Sequence, residues 1–298
     1  MKRFYEDFNA LYLNPLTDFG FHKIFGPEAK DLLIDFLNQI IREEGIITDI
    51  EYLIPEQFGD FETDRKAIFD IFCTTEKGDY FIVEMQKAKQ AFFRDRSVYY
   101  ASLPIQKQAL QGDWYFRLKA VYFVAVLDFI LFDEFEEDKE QVIERVQLRR
   151  ETTGTVYSNK LKFAFVELPK FRKSEEELNT HFEKWLYLLK NLPKLKDRPV
   201  SVQGEIFDKL FRITEIKRLT EKDMETYSKS ITEYHGVRLA MDCARDEGRE
   251  EGRESGREEE KISVIQKCLQ KNMAMEDIIF FTGFSKEQIN RYVENVTC

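Results

Sequence analysis

AIFDIFCTTEKGDYFIVEMQKAKQ, residues 67–90, decides how this chain folds. Two apolar runs flank a Lys-Gly-Asp turn, and three polar side chains interrupt them: Asp70, Glu84 and Gln86. Side chains two apart on a strand share a face, so Glu84 and Gln86 point the same way. Whether Asp70 joins them depends on the turn. A two-residue loop at Lys77-Gly78 sets residue 70 opposite residue 85. A three-residue loop, Glu76-Lys77-Gly78, pairs 70 with 84 and wants glycine at its last, left-handed position. Gly78 stands there, so the expected register brings the three side chains together. Two carboxylates beside an amide make an oxygen-rich site suited to a hard divalent cation such as Mg²⁺. The competing reading is a solvent-facing side of an edge hairpin. Ile68, Ile71 and Phe72 on one strand, with Phe81, Ile82, Val83 and Met85 on the other, leave little polar surface and favour a lined cleft.

Outward from the hairpin, the pattern alternates helix and strand. A short helix is expected from an N-cap at Thr17 or Asp18 to the Gly26-Pro27 break. EAKDLLIDFLNQIIREEG (28–45) spaces Leu33, Phe36, Leu37, Ile40 and Ile41 as one helical face, with Gly45 as its C-cap. Strands are expected in IITDIEYLI (46–54), RKAIFDIFCTT (65–75) and DYFIVEMQ (79–86). A helix follows over 92–111, bent at Pro104. KAVYFVAVLDFIL (119–131), apolar almost throughout, reads as a fully buried strand. LKFAFVEL (161–168) is a further strand, and SEEELNTHFEKWLYLLK (174–190) a capped amphipathic helix. The order α-β-β-β-α-β with additions defines a mixed α/β core.

The last quarter changes character. Gly-Arg-Glu recurs at 248, 252 and 256 inside ARDEGREEGRESGREEEK. This is low complexity with a four-residue period. Each glycine costs about 1 kcal/mol against alanine in a helix interior. The repeat is therefore either a flexible linker or a helix whose glycine face admits a close partner. Beyond it, three short helices are expected, the last opened by a Ser285–Gln288 capping box. The expected division is a main domain over 1–240, the repeat over 241–260 and a small helical tail over 261–298.

No run approaches the ~18 consecutive apolar residues of a membrane span, and the N-terminal stretch carries charges where a secretion signal is apolar. Cys73, Cys243, Cys268 and Cys298 are scattered, which suits a reducing cytoplasm and argues against a zinc site or a disulfide framework. The net charge of −10 argues against a nucleic-acid partner, because phosphate affinity comes from clustered Lys and Arg. Residues 86–119 reverse that balance locally: seven Lys or Arg stand against Asp95 and Asp113 alone. The acidic segment DEFEEDKE (133–140) reads as a solvated loop.

A strand ending in Asp, a hairpin, then Glu-x-Gln on the next strand within α-β-β-β-α-β resembles the PD-(D/E)XK restriction-endonuclease-like fold. The wording is closest to the Rpn recombination-promoting nucleases, also described as PD-(D/E)XK transposases. LTDFGFHKIFG (16–26), DRKAIFDIFC (64–73), GDYFIVEMQKAKQ (78–90), RSVYYASLPIQKQ (96–108), the glycine repeat and the terminal helices carry the resemblance. It implies a divalent-metal-dependent DNA endonuclease of the cytoplasm, linked to recombination or mobile DNA and using Mg²⁺, Mn²⁺ or Ca²⁺. By position, Asp70, Glu84 and the Met85 carbonyl would hold the metal. Gln86 takes the place of the wider superfamily's Lys, leaving neutralisation of the developing charge to the metal, Lys87 or Lys89. Asp18 would either reach the metal from the first helix or serve as an N-cap. His22, where the family often has Lys, is expected to be structural. Lys87, Lys89, Arg94 and Arg96 would contact DNA, the two arginines either tracking phosphates or stabilising their helix. Cutting both strands with one such site would call for a homodimer. The alternatives are a non-catalytic DNA- or protein-binding descendant of the fold, and an RNA nuclease with the same site.

Overall fold

Thr17 sets the first helix: its Oγ1 accepts the Gly20 N–H at 3.0 Å, and helix α1 runs Asp18–Phe25 up to Gly26. In this computed structural model residues 10–41, 45–53, 69–109, 117–136 and 139–290 are described. The expected strand residues 65–68, the helix end at 110–111, Asp113, Cys298 and the tail beyond 290 lie outside them. Helix α2, Lys30–Ile40, buries Leu32, Leu33, Phe36, Leu37 and Ile40. Its C-cap is Ile41 rather than the expected Gly45, and residues 42–44 lie outside the described residues.

Six strands form one mixed sheet in the order β1-β2-β3-β4-β6-β5. They span Ile50–Tyr52 (β1), Ile71–Thr75 (β2), Tyr80–Gln86 (β3), Val121–Leu127 (β4), Ile143–Arg149 (β5) and Val156–Glu167 (β6). The first three pair antiparallel, whereas β4 runs parallel to both β3 and β6. Helix α3, Phe93–Gln108, crosses between β3 and β4 and continues through Pro104, which is buried within it. This is the expected α-β-β-β-α-β core in an α/β fold. Strand β4 is buried along its whole length, as its unbroken apolar run requires.

The sheet separates two cores. Odd-numbered residues of β2 and β3 (Ile71, Cys73, Phe81, Val83, Met85) pack towards α1, α2 and two later helices, His181–Asn191 (α4) and Glu205–Thr214 (α5). Phe72 and Ile82 face the other way, against Phe93 and Ala101 of α3. Two expectations need correction. Strand β5 was not foreseen, because IERVQLR is an edge strand with exposed residues on both faces. The helix expected from Ser174 starts at His181: Ser174 and Glu177 cap only the short turn Glu175–Glu177, and Thr180 with Glu183 caps the helix itself.

The chain divides into two compact units, Met1–Arg238 and Leu239–Cys298. Helix α6, Glu221–Gln270, belongs to both, so the glycine repeat is helical. In the first unit, Tyr227 and Ser230 of α6 accept the backbone N–H groups of Asn14 and Phe19, each at 3.1 Å. In the second, Ile265 and Cys268 pack with Ile278 of α7 (Met275–Thr282), Phe284 and Ile289. Gly283 (φ 71°) ends α7, and Ser285 and Gln288 cap each other's backbone at the next helical turn.

Candidate active site

The hairpin register follows from its turn. Gly78 (φ 80°) donates to the Thr75 carbonyl at 2.8 Å, and the Thr75 N–H to the Asp79 carbonyl at 2.9 Å. The loop is therefore Glu76-Lys77-Gly78, and Ile71 faces Val83. One residue further along, that register sets Asp70 against Glu84, on the face that carries Phe72 and Ile82 towards α3. The ladder ends there. In place of another strand carbonyl, Asp70 Oδ2 accepts the Met85 N–H at 2.7 Å. In an extended strand the N–H and C=O of one residue lie on the same edge, so the Met85 carbonyl also faces the Asp70 side. The Gln86 carbonyl faces β4, where it accepts the Asp128 N–H at 3.0 Å.

Glu84 is only 3 % exposed. Its Oε2 accepts from Gln86 Nε2 at 3.1 Å, and its Oε1 faces the Asp70 N–H at 3.4 Å. Burial, then the nearby Asp70 charge, pushes the Glu84 carboxyl up to about 8; hydrogen bonds and the Arg96 charge oppose this only in part. Asp70 is also raised, chiefly by burial. A buried and a half-buried carboxyl, both resisting ionisation side by side, are what a divalent cation would relieve. The donor set fits such an ion: the Asp70 and Glu84 carboxylates and the Met85 carbonyl are all hard oxygens. Among the described residues no cluster of three His, Cys, Asp or Glu suited to a metal occurs, so backbone oxygen and water would complete the shell.

The remaining expected residues divide between the two faces. Asp18, the first residue of α1, forms an ion pair with Lys87 at 2.7 Å. Lys87 is held by Asp18 on the α1 side, and the charges of both act on the Asp70 carboxyl, with that of His22. His22 is exposed, and its Nδ1–H donates to the Asp18 carbonyl at 2.9 Å. Lys89 is exposed beyond the end of β3. Arg94 is tied down by Glu134 and by the Leu131 carbonyl at 3.1 Å, with its guanidinium 4.6 Å from the centroid of the Phe132 ring. Arg96 and Tyr100, one turn apart on α3, lie beside Glu84: the charge of Arg96 pulls the Glu84 carboxyl down, and the charge of Glu84 raises the Tyr100 hydroxyl.

A cluster that the sequence did not announce lies beside Gln86. Asp128 Oδ2 accepts from Tyr234 Oη at 3.0 Å and from Arg238 Nη1 at 2.8 Å, while Arg238 also donates to Tyr234 Oη at 2.8 Å. Burial raises the Asp128 carboxyl against the pull of Arg238. The only sequence signal was an Asp closing an otherwise apolar strand, VYFVAVLD, which had to find a partner.

A family model described as "PD-(D/E)XK nuclease family transposase" matches residues 15–244. No curated protein matches the chain. No solved structure does either.

Proposed function

The chain belongs to the PD-(D/E)XK nuclease family transposases, and from that membership we propose that it is a divalent-metal-dependent DNA endonuclease acting in recombination or on mobile DNA. Membership itself supports a nuclease or transposase-linked role with DNA as substrate, and nucleases of this kind generally use divalent metals. The finer reading rests on one observation: Asp70 and Glu84 are held side by side where the β2–β3 ladder ends, with both carboxyls raised. Asp70, Glu84 and the Met85 carbonyl would hold the ion, Mg²⁺ or else Mn²⁺ or Ca²⁺. When bound, it would polarise the phosphoryl oxygen and acidify the attacking water.

The protein's own groups do the rest. Gln86 donates to Glu84 and fixes its rotamer, leaving the amide oxygen to orient a water for in-line attack. Attack forms one P–O bond and breaks another; the water gives up a proton and the departing sugar oxygen gains one. Asp18 takes no direct part in this scheme, because Lys87 holds it; it maintains charge balance beside Asp70. Lys89 supports the DNA backbone from the exposed rim. The working form is a homodimer of cytoplasmic chains, with the nuclease domain over 1–240 and pairing through the repeat. Among the described residues no helix is long and apolar enough to cross a membrane.

Supercoiled plasmid incubated with Mg²⁺, Mn²⁺ or Ca²⁺, with and without EDTA, tests this reading. Nicking or linearisation that EDTA abolishes is expected. Gln86 in place of a lysine favours one rival, a non-catalytic DNA-binding descendant; plasmid retained but never cut would establish it. Loss of plasmid cleavage to structured RNA competitor would redirect the substrate to RNA.

A further inference from the structure

Arg96 is placed unlike the other cations near the site. It lies on α3 between Phe93 and Tyr100, with its guanidinium carbon 5.1 Å and 5.8 Å from their ring centroids. Stacking on two rings fixes the plane of the fork. One end, Nη1, donates to Gln90 Oε1. The other, Nη2, is buried and meets no hydrogen-bond partner among the described residues. Arg96 also forms no ion pair there, whereas Lys87 is matched by Asp18 and Arg94 by Glu134. Yet the charge of Arg96 acts on Glu84, on the face shared by Asp70, Glu84 and Gln86. A cationic N–H without an acceptor is costly in a buried position. An anion arriving beside Glu84 would supply that acceptor.

We propose that Arg96 is the catalytic cation of this site: its Nη2–H donates to a non-bridging oxygen of the scissile phosphate and offsets the charge that the neutral Gln86 leaves unmatched. This rests on the nuclease reading and assigns a role within it that no strand residue fills. Guanidinium suits the task because it stays protonated through the reaction and presents a fixed fork to phosphate. Arg96 exchanges no proton; its contribution grows as negative charge builds on the phosphoryl oxygens, so it raises the rate rather than the affinity.

The test compares the full chain with Arg96→Ala, Arg96→Lys and the double variant Arg96→Ala/Gln86→Lys. Three quantities are read: the single-turnover cleavage rate at saturating DNA, duplex affinity in EDTA by fluorescence anisotropy, and thermal melting. Arg96→Ala should lose about 100-fold or more in rate, the usual cost of one such donor. Its melting and EDTA affinity should stay close to wild type, within about threefold for affinity. The Lys introduced at 86 should recover at least tenfold of the lost rate, because it returns a cation to the same phosphate. Arg96→Lys keeps the stem and the charge, and covers the case in which Ala unfolds the helix; it should cut faster than Arg96→Ala. A wild-type-like rate in Arg96→Ala, or a loss seen wholly in affinity, overturns the proposal while leaving the nuclease reading intact. If the wild-type chain cuts neither DNA nor RNA with any of the three ions, the nuclease reading falls and the catalytic role falls with it.

Discussion

Asp70 and Glu84 interact through burial and charge, and their protonation carries a sign that can be measured. Glu84 ordinarily titrates near 4.5 and is pushed up to about 8 in the folded chain. Between those values the folded state holds a proton that the unfolded state has released. Linkage then makes stability fall as pH rises through that window, with the contribution fully present below the unfolded value. Metal-free protein should therefore melt progressively lower from about pH 5 to about pH 8, because Glu84 must ionise without a counter-charge. A divalent ion removes this penalty, so Mg²⁺ or Mn²⁺ should raise the melting temperature more at pH 8 than at pH 6, with release of protons on binding. Calorimetry in two buffers of different ionisation enthalpy checks the proton release, which should be larger at pH 6 than at pH 8; equal release at both pH values would sink the assignment. Glu84→Gln separates stability from function. It keeps the shape, removes the buried charge and should raise the metal-free melting temperature at pH 8 while abolishing cleavage. Asp70→Asn should also abolish cleavage, with its amide oxygen still accepting the Met85 N–H. Retained cutting in either variant would show that the carboxylates are structural. The convergence of these groups was legible in sequence because a single glycine, Gly78, selects the loop length and hence the register. Arg96 was legible as a basic residue near the start of a helix that would either track phosphates or stabilise the helix. Its direction depends on Phe93 and Tyr100 forming a stacking surface around it, and no spacing rule specifies that.

Elements in this fold are held by close approaches that tolerate little change. In α1, a Cβ at Gly20 would lie 2.0 Å from the Asn14 carbonyl oxygen, which itself accepts from Thr17 Oγ1 at 2.8 Å. The obstacle is backbone already committed to the helix cap, so it cannot move aside. Gly20→Ala should destabilise the protein by roughly 1–3 kcal/mol, the usual range for overpacking. Urea denaturation of the two proteins decides it; an unchanged midpoint would mean that the Asn14–Thr17 turn yields freely. At the end of β6, Glu167 and Lys170 are almost wholly buried and meet at 2.6 Å, while Glu167 also accepts the Phe132 N–H at 3.0 Å. Lys170→Met leaves a buried carboxylate unpaired and should cost about 3–5 kcal/mol, with Glu167→Gln added to it recovering much of the loss. An additive double variant would show that the two residues do not act as a pair. Most elements were readable from periodicity, β4 most clearly, since an all-apolar strand between parallel neighbours has no polar face to hide. Strand β5 was not, because an edge strand exposed on both sides has no alternation to find. The late start of α4 has a local cause. Ser174–Glu177 and Thr180–Glu183 are both capping boxes, and only the second is followed by a face that buries Trp185, Leu186, Leu188 and Leu189.

At the scale of the whole molecule, the least expected feature is the 50-residue helix α6. Three glycines inside it should cost about 3 kcal/mol together, which argues against a helix that serves only as a tether. A methyl group added at Gly248, Gly252 or Gly256 would meet nothing within 4 Å in the single chain, so the glycines are not required by its own packing. They form one stripe, since residues four apart share a helix face. Arg249, Arg253 and Arg257 line one flank of that stripe; Glu247, Glu251 and Glu259 line the other. Two copies packed through the stripe and running parallel would set the Arg flank of each against the Glu flank of the other, whereas antiparallel copies would oppose like charges. The pairing proposed for the nuclease thus has a seam, an orientation and a reason for its glycines. Replacing all three with alanine tests it, because the rival readings predict opposite signs. On a solvated single helix, alanine adds about 1 kcal/mol per site and leaves association unchanged. At a close parallel seam, the added methyls hold the helices apart and weaken the dimer even as each helix gains intrinsic stability. Sedimentation velocity across a concentration series should show the wild-type chain as a dimer and the triple variant shifted towards monomer. Plasmid products should shift in parallel from linear to nicked, because one site cuts one strand per visit. A triple variant that associates as tightly as wild type would place the dimer contact elsewhere and leave the repeat as an extended arm.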